Sequence, residues 1–204
     1  MKTIFLIGDS IRCGAPESDG YGIHVKEKCR DKATVLAPDD NCRFTQYTLR
    51  YLHDWAKGID GEKVDVVHWN NGLWEALRLF GDEPLTDMET YGVFLKRIYK
   101  RITFLFPNAK IIFALTTAVI EEWQNPDFFR YNREIEAYNR KATEIMNDLG
   151  VPVNDLYSVS KSFEKEQYLG PVHFGTEASA ILADAVIRAC DEQIGFIPKA
   201  KGQG

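Results

Sequence analysis

The chain has 204 residues, of which 45% are hydrophobic and 27% charged, a composition typical of a folded globular protein and not of a disordered one. Its formal net charge is −5 and its basic residues are scattered along the sequence. This pattern excludes the clustered basic surface that binds nucleic acid or an anionic membrane, so we expect neither as a partner.

The length fits one domain with a substantial core, and we assign residues 1–197 to it and residues 198–204 to a flexible tail. The longest apolar runs are too short to span a bilayer. The N-terminal IFLI stretch is too short for a signal peptide, which predicts a cytoplasmic protein, with an exported mature chain as the alternative. The four cysteines form no CxxC pair, so we expect free thiols and no metal site, with one disulfide as the alternative.

Five short apolar segments are predicted as strands, and each ends at a polar or glycine-containing turn. Their nearly continuous apolar character is typical of a parallel sheet that is covered on both faces. In chain order they are Thr3–Ile7, Ala33–Leu36, Val64–His68, Lys110–Leu115 and Val151–Val153.

Longer segments of helical periodicity separate and follow these strands: Gly22–Asp31, Thr45–Lys57, Glu89–Phe106, Arg130–Leu149 and Thr176–Ile194. The alternation predicts an α/β fold, a flavodoxin-like three-layer αβα sandwich around a parallel sheet of about five strands. Ligands of such sheets bind beyond the carboxyl ends of the strands.

The first predicted strand ends at Gly8-Asp9-Ser10. A serine at this edge of the sheet is a candidate nucleophile, although Asp and Ser at such a position also serve as helix caps. A second feature favours the nucleophile: His173 precedes the last predicted helix and is expected at the same edge of the sheet. Histidine titrates near neutrality and suits the removal of a proton from a hydroxyl group.

The third predicted strand is followed by Asn70 and Asn71. A side-chain amide here either caps the turn or stabilises the negative charge on a carbonyl oxygen in a transition state, which is worth about 3–4 kcal/mol. The polar segment 38–45 after the second strand leads into a helix, whose first backbone N–H groups are further candidate donors.

Together these four segments resemble the sequence blocks of the GDSL/SGNH hydrolases, in the same chain order and over nearly the whole chain. The resemblance implies that Ser10 is the nucleophile and that its N–H is the first oxyanion donor, with His173 as general base. It implies Asn70 as a further donor, or Asn71 if the alignment slips by one residue. Arg43 stands where the second block usually contributes the N–H of a glycine.

The last block departs from the family pattern, which is Asp-x-x-His, because Gly170 occupies the place of the aspartate. That aspartate normally orients the histidine and stabilises its protonated form. The candidates for this role are a backbone carbonyl near Gly170 or the carboxylates of Asp155 and Glu166.

The resemblance implies a serine esterase that needs no metal or organic cofactor and acts on a small-molecule or carbohydrate ester. We expect an acetyl ester of a carbohydrate, with Trp69, Trp74 and Trp123 as candidate sugar-stacking residues, although tryptophan is more often a core residue. The alternatives are a lipase-like or thioesterase-like activity on longer acyl chains and a degenerate homologue that binds carbohydrate without turnover.

Overall fold

A computed structural model describes residues 1–198, so the predicted tail lies, apart from Pro198, outside the described residues. The strands are β1 (Lys2–Ile7), β2 (Ala33–Leu36), β3 (Val66–Trp69), β4 (Arg78–Leu79), β5 (Lys110–Ala114), β6 (Phe128–Phe129) and β7 (Val153–Asn154). Five of them form a parallel sheet in the order β2-β1-β3-β5-β7, and β4 pairs with β6 in a small antiparallel sheet. The predicted flavodoxin-like sheet is therefore confirmed.

The helices are α1 (Ser10–Cys13), α2 (Gly20–Lys28), α3 (Thr45–Ala56), α4 (Met88–Leu105), α5 (Asn132–Asp148), α6 (Leu156–Lys161) and α7 (Thr176–Ile194). Helix α2 packs on α7, while α4 packs on both α3 and α5, which gives the sheet a helical layer on each face. None of the described helices is long and apolar enough to cross a membrane.

Strands β1 and β3 are neighbours in the interior of the sheet and are buried over most of their length. Residues 4–7 and 66–69 are at most 1% exposed, because helices cover both faces of these strands. Ile7 pairs with Trp69 at the ends of the two strands. Ser10 and Asn70, which follow these strands, are therefore presented at the same edge of the sheet.

The five predicted helices correspond to α2, α3, α4, α5 and α7, with ends that differ by a few residues or coincide. The prediction for α5 began too early, since Arg130 precedes the helix and its backbone is hydrogen-bonded to the side chain of Gln124. All four cysteines are free thiols, and only Cys13 among them is exposed.

Candidate active site

Ser10 is the first residue of α1, directly after the turn that leaves β1. The carboxylate of Asp9 caps this short helix by accepting a hydrogen bond from the N–H of Ile11, at 2.9 Å. As the first residue of a helix, Ser10 has an N–H group with no acceptor within the helix. Both its hydroxyl and its N–H group are therefore available at the carboxyl edge of the sheet.

His173 lies in the loop before α7, and its Nε2 is 2.9 Å from the hydroxyl oxygen of Ser10. Two backbone hydrogen bonds hold the loop: Leu169 N–H to the His173 carbonyl at 2.9 Å and Ile120 N–H to the Pro171 carbonyl at 2.8 Å. The imidazole side chain is 17% exposed. The fold thus joins two residues that are 163 positions apart in the sequence.

The other ring nitrogen of His173, Nδ1, lies 2.6 Å from a carboxylate oxygen of Glu17. Glu17 belongs to a tight turn in which Ala15 and Ser18 exchange two backbone hydrogen bonds, of 2.8 and 3.0 Å. The hydroxyl of Ser18 also donates to the Phe174 carbonyl at 2.8 Å, which fastens this turn to the histidine loop. Ser10, His173 and Glu17 form a continuous hydrogen-bonded chain.

The carboxylates suggested from the sequence as partners of His173 lie elsewhere. Asp155 caps α6 by accepting from the N–H and hydroxyl of Ser158, at 2.9 and 2.6 Å. Glu166 is exposed in a 3₁₀ turn, and Gly170 sits in a loop with a φ of +100°. Asp155, Glu166 and the backbone near Gly170 were therefore the wrong choices, because Glu17 already occupies Nδ1. The sequence analysis missed Glu17 because no fixed spacing relates it to His173. The only sign of it in the sequence was a carboxylate in the loop after the candidate nucleophile.

Asn70 follows β3 and is 8% exposed. Its side-chain nitrogen donates to the carbonyl of Ala114 at 2.8 Å, which orients the amide and leaves its second N–H without a described acceptor. The residue lines a small enclosed cavity together with Asp9, Leu73 and Thr116. Asn70 is thus held next to the Asp9–Ser10 turn with one free amide hydrogen.

Asn71 is fully buried and both ends of its amide are used. Its oxygen accepts from the indole N–H of Trp69 at 2.7 Å, and its nitrogen donates to the Arg43 carbonyl at 2.9 Å and the Thr48 hydroxyl at 3.0 Å. These bonds tie the end of β3 to the loop before α3. The geometry favours Asn70 as the oxyanion donor and a structural role for Asn71.

Arg43 adopts a φ of +46°, in the left-handed region that glycine enters without strain. This conformation explains in physical terms why the corresponding position suits glycine. The Arg43 N–H donates to the side-chain oxygen of Asn41 at 2.9 Å. Arg43 can act as an oxyanion donor only if it gives up this bond, whereas the Ser10 N–H needs no such change.

Burial perturbs several titratable groups around the site. It raises the pKa of Asp9, an effect that the nearby charges of Arg130, His173 and Arg12 oppose. Burial also raises the pKa of Glu75 to about 7 and lowers that of His68 to about 3. His68 is therefore a neutral core residue, as its place in the third predicted strand suggested, and its Nε2 lies 3.1 Å from the Asn154 amide nitrogen.

The three tryptophans considered as sugar-stacking residues occupy different environments. Trp69 is a fully buried core residue, so it was the wrong choice for that role. Trp74 is partly buried and meets the ring of Phe128 edge to face, with 6.5 Å between centroids. Trp123 is 43% exposed.

No family model matches the chain, and no curated protein matches it in sequence. Its fold, however, matches that of solved lipases and esterases. A lipase/acylhydrolase from Enterococcus faecalis superposes with a TM-score of 0.74 at 20% identity, over 98% of this chain and 100% of that one. An acetyl xylan esterase, AlAXEase, gives 0.71 at 15% identity over 92% and 98% of the two chains.

A catalytic mutant of an acetylxylan esterase from Geobacillus stearothermophilus gives a TM-score of 0.69 at 17% identity, over 98% of this chain and 97% of that one. A structure described as a GDSL-like lipase, from Parabacteroides merdae, also matches, with a TM-score of 0.69 at 12% identity over 96% of both chains. The chain thus has the α/β sandwich fold of these solved lipases and esterases, which is the fold that the resemblance in the sequence implied.

Proposed function

We propose that the protein is a carboxylic ester hydrolase that works through an acyl-enzyme on Ser10. The observation that carries this proposal is the chain of hydrogen bonds from Ser10 through His173 to Glu17, with distances of 2.9 and 2.6 Å. A serine hydroxyl becomes nucleophilic when an adjacent base removes its proton and a third group orients that base.

In the proposed acylation step, the Ser10 oxygen attacks the carbonyl carbon of the ester while His173 Nε2 accepts the hydroxyl proton. Glu17 accepts a hydrogen bond from Nδ1, which fixes the tautomer and stabilises the imidazolium that forms. The Ser10 N–H and the free amide hydrogen of Asn70 stabilise the oxyanion. His173 then protonates the departing alkoxide, which leaves the acyl group on Ser10.

Deacylation reverses these roles with water as the nucleophile. His173 removes a proton from the water, which attacks the acyl carbon, and then returns the proton to the Ser10 oxygen as the carboxylic acid departs. The transfer between Ser10 and His173 uses atoms 2.9 Å apart, which meets the geometric requirement for general acid–base catalysis.

We further propose that the natural substrate is a small acyl ester, most plainly an acetyl ester of a carbohydrate. The names of two structural neighbours, both acetylxylan esterases, support this choice. Trp74 and Phe128 add an aromatic surface near the end of β3 that suits the face of a sugar ring. The lipase names among the neighbours favour longer acyl chains as the second candidate.

Glu17 weakens the hypothesis of a degenerate, carbohydrate-binding homologue. That hypothesis rested on the missing carboxylate at Gly170, and Glu17 supplies a carboxylate at the same ring nitrogen. The proposed triad therefore has all three of its members, although one comes from a different loop.

The proposal is tested by hydrolysis of 4-nitrophenyl esters of increasing chain length. We expect the wild type to hydrolyse the acetate, and Ser10→Ala to lower kcat by about 10³-fold or more, as removal of a serine nucleophile does in other hydrolases. Equal rates for the two proteins would overturn the proposal. A preference for chains longer than about six carbons, which bury more apolar surface, would favour the lipase-like candidate.

A further inference from the structure

Arg130 is an arginine that the proposed mechanism does not use, and it is only 4% exposed. It lies between β6 and α5, where the Gln124 side chain holds its backbone through two hydrogen bonds of 2.8 and 2.6 Å. Its Nε donates to the Leu73 carbonyl at 2.7 Å. The guanidinium group is therefore fixed in position and direction.

The two terminal nitrogens of this guanidinium, Nη1 and Nη2, donate to no residue in the described part of the chain. No described carboxylate forms an ion pair with it either. Neither nitrogen is among the fully buried atoms that lack a partner, so both reach solvent although the residue as a whole is only 4% exposed. The N–H groups of Nη1 and Nη2 are thus free to donate hydrogen bonds to a ligand.

Asp9 is the carboxyl group whose charge interacts with Arg130. One of its oxygens, Oδ1, accepts from the N–H of Ile11, and burial raises its pKa. No ion pair joins it to Arg130 in the described part of the chain. Burial lowers the pKa of Arg130 to about 10, so the guanidinium still carries its charge at neutral pH. The positive charge near the site is not matched by an ion pair.

Arg130 is related to the candidate site by its charge, which interacts with that of Asp9, the residue before Ser10. Leu73, its hydrogen-bond partner, follows Asn70 by three residues and lines the same small cavity as Asp9 and Asn70. The guanidinium carbon lies 5.0 Å from the centre of the Phe128 ring, which in turn contacts Trp74. Arg130 therefore lies against the aromatic surface formed by Trp74 and Phe128, which suits a sugar or aryl ring.

We propose that Arg130 binds a carboxylate carried by the ester substrate, so that the enzyme prefers anionic esters over neutral ones. This inference rests on the proposed ester hydrolase function and specifies its substrate class. The two free Nη groups suit a carboxylate, whose two oxygens accept parallel hydrogen bonds from guanidinium. The carboxylate belongs either to the acyl part of the ester or to its alcohol part.

Two matched pairs of esters separate these cases. For the alcohol side, 4-acetoxybenzoate is compared with its methyl ester, and for the acyl side, monophenyl succinate with its methyl ester. We expect the ratio of kcat/KM for the charged and the neutral member to fall by about 10- to 100-fold in Arg130→Gln for one of the pairs, the range expected for loss of a charge-assisted hydrogen bond. Arg130→Lys keeps the charge but not the fork and should lie in between.

Arg133→Gln is the matched control, since it removes the same charge from an exposed arginine three residues away. Its ratios should equal those of the wild type. If Arg130 has a purely structural role, Arg130→Gln lowers kcat/KM for both members of each pair alike. Such a loss, or a charged-to-neutral ratio that is unchanged in both pairs, would overturn the inference. If Arg130→Gln does not fold, competitive inhibition of the wild type by benzoate and benzamide decides the question, and equal inhibition constants contradict the inference.

Failure of the ester hydrolase proposal would look different. In that case the wild type hydrolyses none of these esters, and calorimetric binding of benzoate and benzamide to the wild type and Arg130→Lys replaces the kinetics. Selective benzoate binding that weakens in Arg130→Lys would support the carboxylate site without the reaction, and equal binding of both compounds would overturn it.

Discussion

Glu17 is the carboxylate partner of His173, and it comes from a loop other than the one the sequence indicated. Its side chain is 51% exposed, in contrast to the largely buried His173 that it contacts. Water therefore screens part of the effect of Glu17 on the imidazole. We expect Glu17 to contribute less to the reaction rate than a buried aspartate would. In the proposed mechanism Glu17 acts through His173, as a positioning residue.

Glu17→Gln should lower kcat by roughly 10- to 10³-fold, less than the roughly 10⁴-fold loss known for a buried aspartate in a serine protease triad. The KM and the unfolding temperature should change little, because the residue lies in an exposed turn. Glu166→Gln is the control, since it neutralises an exposed carboxylate in the 3₁₀ turn that precedes the histidine loop. A loss of activity in Glu166→Gln and none in Glu17→Gln would show that the orienting group is misassigned.

Glu75 makes the stability of the fold depend on pH. It is fully buried, one of its oxygens accepts from the Thr45 N–H, and its pKa rises from 4.5 to about 7 on folding. Between these values the folded chain holds more protons than the unfolded chain, so its stability falls as pH rises. The contribution is complete below about pH 4.5 and lost as pH rises through about 7.

Glu75→Gln removes this titration and keeps an oxygen to accept from Thr45. We expect the variant to be more stable than the wild type at pH 8, by up to about 3 kcal/mol, and nearly equally stable at pH 4. Thermal unfolding at the two pH values measures the difference. His68 has the opposite pH dependence but is present in both proteins, so its effect cancels. A difference that does not change with pH would contradict the assignment.

At the scale of elements, the site consists of loops that follow strands of the central sheet, fastened to one another by side chains. Asn71 connects the end of β3 to the loop before α3, and Ser18 connects the first loop to the histidine loop. The hydrogen bonds of Asn71 give it a structural role, whereas Asn70 keeps one amide hydrogen for the proposed role as oxyanion donor.

Asn70→Ala and Asn71→Ala should therefore have opposite effects. For Asn70→Ala we expect kcat to fall by about 10²- to 10³-fold with a small loss of stability, as for an oxyanion donor. For Asn71→Ala we expect the free energy of unfolding to fall by about 2–4 kcal/mol, because the indole N–H of Trp69 and the Arg43 carbonyl lose their buried partner. Kinetics and urea unfolding of both variants measure this, and the reverse pattern would show that the oxyanion donor is Asn71.

The regular elements could be predicted from the sequence because their patterns are long enough to be seen. Helix α7 spans 19 residues, and its predicted and observed limits coincide. Helix α1 has only four residues and the β4–β6 sheet only two on each side, which is too short for any periodicity to show. The start of α5 depends on the side-chain contacts of Gln124, which no local pattern reveals.

At the scale of the whole molecule, the alternation of strands and helices was sufficient to predict the sheet and its reactive edge. Parallel strands present their carboxyl ends together, so Ser10, Asn70 and His173 could be predicted as neighbours from their places after strands and before helices. The carboxylate partner of His173 could not be predicted, because Glu17 follows no strand directly and its contact with His173 depends on how two loops meet.

The proposed activity depends on Ser10 as a nucleophile that His173 activates. Labelling with a fluorophosphonate, followed by mass spectrometry of the modified peptide, tests this most directly. We predict a single adduct on Ser10 in the wild type, no adduct in Ser10→Ala, and labelling slowed by about 10²-fold or more when His173→Asn removes the base. An unlabelled Ser10, or labelling of His173→Asn at the wild-type rate, would contradict the account.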